Sequence, residues 1–276
     1  MKSKIWFITG ISSGLGKALA EELIAKGDFV IGTFRQPSQV AAFNHLYGDK
    51  AWALALDLTH ADEIQQVYHV VKQKFGRIDV LVNNAGVGFA GAIEETTYAE
   101  TRHVFEANFF GTLALTQAFL PLFRSQQQGH IFQISSHAGV KAFAGFGIYN
   151  ATKFAIEGFS EALALELAPL GIKVTIVEPG PFRTQFANTS FLFAEQVIAD
   201  YTDTAGAFRE RIKLVHGKQE GDPVKAAQAI ILVAATTEST LRLPLGKVAL
   251  ASLQAKVNSL QHDLTVNKAL AENAVF

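Results

Sequence analysis

The amino-acid sequence predicts an α/β fold: a doubly wound parallel sheet covered by helices, with a small helical cap over its ligand-binding edge and a C-terminal helical tail. Three observations carry this expectation. Short β-branched runs alternate with longer amphipathic segments through the first two-thirds of the chain. Those runs are apolar on both faces, as strands inside a covered parallel sheet must be. A glycine-rich turn joins the first strand to the first helix, and sheets of this class bind ligands at the C-terminal ends of their strands.

In order, residues 4–9 (K-I-W-F-I-T) read as a strand and 15–26 as a helix with Leu15, Leu19 and Leu23 on one side. Strands follow at 29–34 and 51–56, separated by a weak helix at 40–47. A helix at 61–75 leads to a strand at 79–82. Long helices at 98–124 and 148–167 flank a strand at 130–135, and a sixth strand covers 172–177. From Pro181 to about Phe208 the chain is rich in Phe and has no clean period. Asp222-Pro223, an N-cap followed by Pro at the first helical position, opens a helix over 222–235. Residues 241–248 suggest a last strand, weakened by Pro244. Apolar residues three or four apart make 249–270 a helical tail.

No internal repeat or Pro/Ser linker divides the 276 residues, so one domain is expected, with a substrate cap at about 180–220 and an extension at about 249–276. A 49% hydrophobic and 18% charged composition excludes global disorder. Net charge −1 offers no basic surface for nucleic acid. Without cysteine there is no disulfide, thiolate-bound metal or thiol nucleophile. The eight histidines form no compact ligand set, so no metal is expected. The N-terminal apolar run lacks a signal-peptide h-region, and the longest apolar stretch near the C-terminus, 226–235, falls short of the roughly twenty residues a bilayer needs. A soluble, cytoplasmic protein is expected.

The first strand runs into T-G-I-S-S-G-L-G, residues 9–16, with Gly10, Gly14 and Gly16. Residues without Cβ let backbone approach a pyrophosphate, and the following helix offers free N–H groups and a positive dipole end. Ser12, Ser13 and Leu15 belong to the same loop. The second strand ends in T-F-R. NAD-binding chains usually place a carboxylate there for the ribose hydroxyl. Here Phe34 is followed by Arg35, whose guanidinium can pair with a 2′-phosphate, so NADP is favoured over NAD. Arg35 can also be read as a solvated loop charge. Asp57, followed by Leu58, can accept from an adenine amine or cap the next helix. N-N-A-G, residues 83–86, brings Asn84, Ala85 and Gly86 close to a flat ring, or forms a simple turn.

Y-N-A-T-K opens the second long helix and places Tyr149 and Lys153 four apart on one face. An ammonium beside a phenol favours the phenolate and lowers its pKa from about 10, which suits Tyr149 to general acid/base work. Thirteen residues before Tyr149, Ser136 lies at the end of a strand, where its hydroxyl can bond a substrate oxygen.

With T-G-I-S-S-G-L-G, N-N-A-G, I-S-S, Y-N-A-T-K and P-G-P-F-R-T in this order, the sequence resembles the short-chain dehydrogenases/reductases of the branch with about 250 residues. The motifs span about residues 1–185. The resemblance implies a Rossmann-type domain and a metal-free hydride transfer between nicotinamide and a carbinol carbon. It implies a tetrad in which Asn108 holds a relay water, Ser136 orients the substrate oxygen, Tyr149 transfers the proton, and Lys153 tunes Tyr149 and binds the nicotinamide ribose. Pro179, Gly180, Phe182 and Thr184 would line the nicotinamide, with Thr184 on its carboxamide. Phe182 departs from the small aliphatic residue more usual there. Softer features, among them W-F-I-T-G and L-R-L-P-L-G, resemble the hydroxysteroid and retinol dehydrogenase-like group.

Phe occurs 22 times against 5 Tyr and 2 Trp. Phe7, Phe29, Phe105, Phe109, Phe132, Phe154 and Phe159 fall in elements and suit core or interface. Phe89, Phe143, Phe146, Phe182, Phe186, Phe191 and Phe193 fall after strand ends. With His137 they predict a dry pocket for a bulky apolar secondary alcohol or ketone, the alternative being that several pack the cap's own small core. A homo-oligomer, dimer or tetramer, is expected through the long helices. The alternative from another class is a catalytically silent dinucleotide sensor or scaffold, which the intact Tyr149 and Lys153 disfavour. The glycine spacing argues against an epimerase or dehydratase of the longer branch.

Overall fold

The structure, a computed structural model, describes residues 3–186, 190–238 and 240–276. The chain runs β1 (Ile5–Ile8), α1 (Gly14–Ala25), β2 (Phe29–Phe34), α2 (Pro37–Tyr47), β3 (Ala51–Ala55), α3 (Ala61–Phe75), β4 (Val80–Asn83), β5 (Gly88–Ala90) and α4 (Tyr98–Phe105). It continues α5 (Gly111–Gln126), β6 (Gly129–Ile134), α6 (Gly147–Leu167), β7 (Ile172–Pro179), β8 (Phe191–Phe193), α7 (Ala207–Val215), α8 (Pro223–Ala235), β9 (Arg242–Leu245) and α9 (Lys247–Glu272).

Among the described residues, seven parallel strands form one sheet in the order β3-β2-β1-β4-β6-β7-β9. The order reverses between β1 and β4, and a crevice opens at such a switch point. Successive side chains of a strand feed opposite cores, since the pleat has a period of two. Phe7, Leu81 and Ile131 join the layer packed by α3, α5 and α6. Trp6, Ile8, Val82 and Phe132 join the layer packed by α1 and α8.

Most boundaries follow the sequence. Pro244 sits in β9, at the sheet edge, where a missing N–H is tolerated. Asp222 caps α8, its carboxylate accepting from the N–H groups of Val224 at 2.9 Å and Lys225 at 3.4 Å. The single helix expected at 98–124 is α4 and α5 joined through a widened π-type turn at Glu106–Phe110. Two features have no counterpart in the sequence reading. β5 and β8 form a small parallel ribbon outside the main sheet. In the expected cap, α7 follows the stretch that has no clean period; residues 187–189 of that cap lie outside the described residues. A buried ion pair, Arg209 to Glu95 at 3.1 Å, docks α7 against the segment after β5. Beyond Ser252 the side chains of α9 are largely exposed. No described helix is long and apolar enough to cross a membrane.

Candidate active site

The C-terminal ends of β1, β4, β6 and β7 open onto one cavity of about 1190 Å³. Thr9 joins the first two strand ends. Its hydroxyl accepts from the N–H groups of Asn84 at 2.9 Å and Ala85 at 3.0 Å. The Asn84 amide returns the tie, donating to the carbonyls of Thr9 and Gly10 at 2.9 and 3.0 Å. Asn83 turns away into the protein and donates to Thr116 and Gln133. Thus N-N-A-G is a built junction, and Asn84, Ala85 and Gly86 line the cavity.

At the phosphate loop, Gly10, Ser12, Ser13, Gly14 and Leu15 line the cavity. Gly10 has φ +69°, and a Cβ there would stand 3.1 Å from the Ala85 backbone. Gly16 lies behind the loop, where a Cβ would strike the Asn84 amide and the Gly10 carbonyl. Ser13 occupies the N-cap of α1 without closing it with its side chain. The first-turn N–H groups are therefore left for a ligand, as anion sites at helix starts require. Arg35, Asp57 and Leu58 line the same end. Asp57 accepts from the backbone and hydroxyl of Thr59 at 2.9 and 2.8 Å. Burial pushes its carboxyl pKa up, but those bonds, with His60 and Arg35, outweigh it and hold the pKa below the usual range. Asp57 does not cap the next helix: His60 stands at the N-cap of α3, and the Asp57 carboxylate closes the turn at Thr59 before it. Free N–H groups, close-approach glycines and a guanidinium fit a dinucleotide carrying phosphates.

At the other end of the cavity stand Ser136, Tyr149 and Lys153. Tyr149 is buried and stacked on Phe146, with ring centroids 4.3 Å apart and planes 15° apart. Lys153 is also buried, and its ammonium donates to the Ile134 carbonyl at the end of β6 at 2.8 Å. This corrects one expectation. Burial pushes the Tyr149 phenol above its ordinary pKa, and the hydroxyl of Ser136, not Lys153, opposes it. Lys153, itself lowered by burial to about 8, lies 5.8 Å from the Tyr149 ring centre and is turned to the backbone. The resting site thus holds a neutral phenol.

Asn108 sits in the π-type turn and does not line the cavity. Its amide clamps Val87, accepting from the N–H at 2.8 Å and donating to the carbonyl at 2.9 Å, with a further bond to Thr152. Its carbonyl accepts from the Thr112 hydroxyl at 3.1 Å. Pro179, Gly180, Phe182 and Thr184 line the floor beyond β7.

Five of the seven phenylalanines expected at the pocket line it: Phe143, Phe146, Phe182, Phe186 and Phe191. Phe89 is a second correction. It is 2% exposed and packs with Val104 and Ala194, because alternation along β5 turns it away from the cavity. Phe193 packs beside Phe191 without reaching the cavity. Phe208 and Ile212 of α7 complete the wall, and the sequence reading missed them. The only signal available was a nine-residue amphipathic stretch. His137 lines the pocket, packs at a tilt against Phe143 and bonds Ser252 of α9 at 3.0 Å. Burial, then Lys141, lowers its pKa to about 4, so it is a neutral wall residue.

Residues 4–193 match the family model for short chain dehydrogenases. The chain belongs to the short-chain dehydrogenase/reductase family. This short-chain dehydrogenase/reductase is 40% identical over 245 residues to an oxidoreductase of Botryotinia fuckeliana, covering 88% of this chain and 89% of that one. It is 36% identical over 248 residues to a 3-ketodihydrosphingosine reductase of Bacteroides thetaiotaomicron, covering 89% of both. It is 34% identical over 250 residues to human retinol dehydrogenase 8, covering 85% of this chain and 79% of the relative. Among solved structures, a short-chain dehydrogenase from Streptomyces avermitilis superposes with TM-score 0.93 at 43% identity, covering 99% of each chain. ElxO with NADP bound superposes with TM-score 0.72 at 28% identity, covering 88% of this chain and 96% of that one. Solved neighbours hold NADP and NAD, and the short-chain dehydrogenase/reductase family uses nicotinamide cofactors.

Proposed function

We propose that this oxidoreductase transfers a hydride between NADP(H) and a bulky apolar secondary alcohol or ketone, with Tyr149 as the proton-transferring group. The carrying observation is a single cavity with phosphate-binding features and Arg35 at one end, and Ser136, Tyr149 and Lys153 among phenylalanines at the other. In that cradle a reduced nicotinamide would supply the hydride. In the reducing direction Ser136 holds the carbonyl oxygen, and neutral Tyr149 gives it a proton. The raised pKa of Tyr149 keeps that proton available at neutral pH. Lys153 then sets a positive charge near the phenolate left behind. Asn108 shapes the site by fixing Val87, and its amide is engaged by Val87 and Thr152 rather than by a relay water.

The 2′-phosphate reading rests on Arg35 and on the absence of a carboxylate in T-F-R. An apolar substrate is supported by Phe143, Phe146, Phe186, Phe191 and Phe208. Relatives named as a 3-ketodihydrosphingosine reductase and a retinol dehydrogenase support the same reading. Exposed Phe110, Phe154 and Leu165 on the long helices suit pairing with a second copy. The test is a screen of apolar and small polar ketones, following nicotinamide absorbance with NADPH and NADH in parallel. Turnover of bulky apolar ketones with NADPH supports the reading. Preference for NADH overturns the Arg35 assignment, and preference for small polar ketones overturns the pocket assignment. Tight NADPH binding without turnover favours a sensor.

A further inference from the structure

The face of α6 that bears Tyr149 and Lys153 continues with a buried carboxylate, Glu157. Glu157 follows Lys153 by four, so the three stand one above another at one residue per turn. A glutamate is rarely buried unless paired, yet Glu157 is 5% exposed. Arg242 of β9 reaches it, and also reaches Glu161 one turn further along α6. The same guanidinium lies 2.6 Å from Glu178 of β7, which is fully buried. From the end of β6, the Ser135 hydroxyl faces the Glu157 carboxylate beside Gly139, near enough to lower its pKa, though not in regular bonding geometry.

Lys153 meets the Tyr149 ring and the Ile134 carbonyl, and the charge that acts on it is Glu157. Glu157 in turn is faced by Glu161 on α6, Glu178 on β7, Arg242 on β9 and Ser135 after β6. Well-packed apolar side chains often stabilise a core as much as a buried ion cluster does. A cluster kept directly behind Lys153 therefore points to a role beyond packing.

We propose that Glu157 is a positioning residue that acts through Lys153: its carboxylate, held by Arg242 one turn behind the ammonium, keeps Lys153 charged inside a dry site. Burial drives the Lys153 pKa down, and the charge of Glu157 is what pulls it back up. Glu178 is pushed up to about 7 by burial and by the charge of Glu157, so Glu178 is the member of the pair that takes a proton near neutrality. Burial raises the pKa of Glu157 itself; the Ser135 hydroxyl and Arg242 oppose that rise without cancelling it. The consequence for catalysis rests on the proposed proton transfer at Tyr149; the state of Lys153 does not.

The test is a side-chain NMR titration of isotope-labelled lysine in the full chain, with Lys153 assigned by its loss in Lys153→Met. Glu157→Gln lowers the Lys153 midpoint by about one pH unit or more, the usual effect of losing a close opposite charge. Glu157→Asp, which keeps the charge, stays nearer the wild type. In turnover, the alkaline limb of kcat/KM moves down with the midpoint. Unchanged midpoints in a Glu157→Gln protein with native circular dichroism overturn the proposal. Should that variant not fold, Glu157→Met keeps the side-chain volume while Arg242 retains Glu161 and Glu178, and the midpoint must still fall. A wild type that turns over no carbonyl refutes the oxidoreductase chemistry, while the lysine titration still decides the role of Glu157.

Discussion

Replacing Arg35 by serine tests which nicotinamide cofactor the site takes. Arg35 follows directly on β2 and lines the end of the cavity that holds the glycine loop. Its neighbours there are Asp57, which it helps to keep ionised, and the exposed turn before α2. A guanidinium on a 2′-phosphate makes charge-assisted hydrogen bonds, each worth about 1.5–3 kcal/mol. Arg35 is exposed, so solvent screening places the effect at the lower end of what a bidentate pair can give. About 1.5–3 kcal/mol in total corresponds to roughly a ten- to hundredfold loss of kcat/KM for NADPH. The variant leaves the glycine loop and the Asn84 ties intact, so NADH values stay within about twofold, since surface changes away from such contacts cost little. Steady-state kinetics with both cofactors read the ratio, and the NADPH defect shrinks as salt rises. Equal losses with NADPH and NADH, or none with NADPH, would refute the assignment of Arg35 to the 2′-phosphate.

Two further outcomes follow from the geometry. Phe186 is half-buried against Tyr149 and Phe191, so Phe186→Ala raises KM for a bulky apolar ketone more than tenfold and leaves a small ketone little changed; a parallel shift for both would remove Phe186 from the substrate wall. His130 on β6 is held neutral by burial, its pKa lowered from 6.5 to about 3, and it bonds Thr175 at 2.8 Å. The unfolded chain binds more protons between those values, so the His130 contribution is present above pH 6.5 and lost as pH falls toward 3. Glu178, raised to about 7, acts with the opposite sign, losing stability as pH climbs from 4.5 to 7. Urea midpoints of His130→Gln against wild type from pH 7 to pH 4 isolate the histidine. The variant shows the shallower acid decline, and equal slopes would contradict a neutral buried His130.

The fold and the two ends of the site were legible because their signals are local. Gly10 to Gly16 lie in one short loop and helix start, and Tyr149 and Lys153 within about one helical turn, so local spacing suggests them and the order of the motifs along the chain places them. What escaped notice depends on residues far apart in sequence. The β5–β8 ribbon pairs Gly88 with Phe191, and its alternation turns Phe89 inward. α7 owes its position to Arg209 bonding Glu95, 114 residues away, and its Phe208 has no motif to announce it. The phenol of Tyr149 was expected to be lowered by Lys153, but burial is the stronger effect and only packing reveals burial. Glu157 looks like an ordinary helix glutamate until β7 and β9 bring Glu178 and Arg242 against it.

The central claim is that Tyr149 transfers the proton that completes hydride transfer. Tyr149→Phe removes one oxygen and keeps the stack on Phe146, so folding and NADPH affinity are preserved. Loss of a general acid lowers kcat by about 10²- to 10⁴-fold. The decisive measurement is kcat of this variant on a ketone that the wild type reduces, with NADPH affinity measured on the same preparation. A collapse of that size with unchanged affinity is the predicted result, and turnover within a few-fold of wild type would contradict the account.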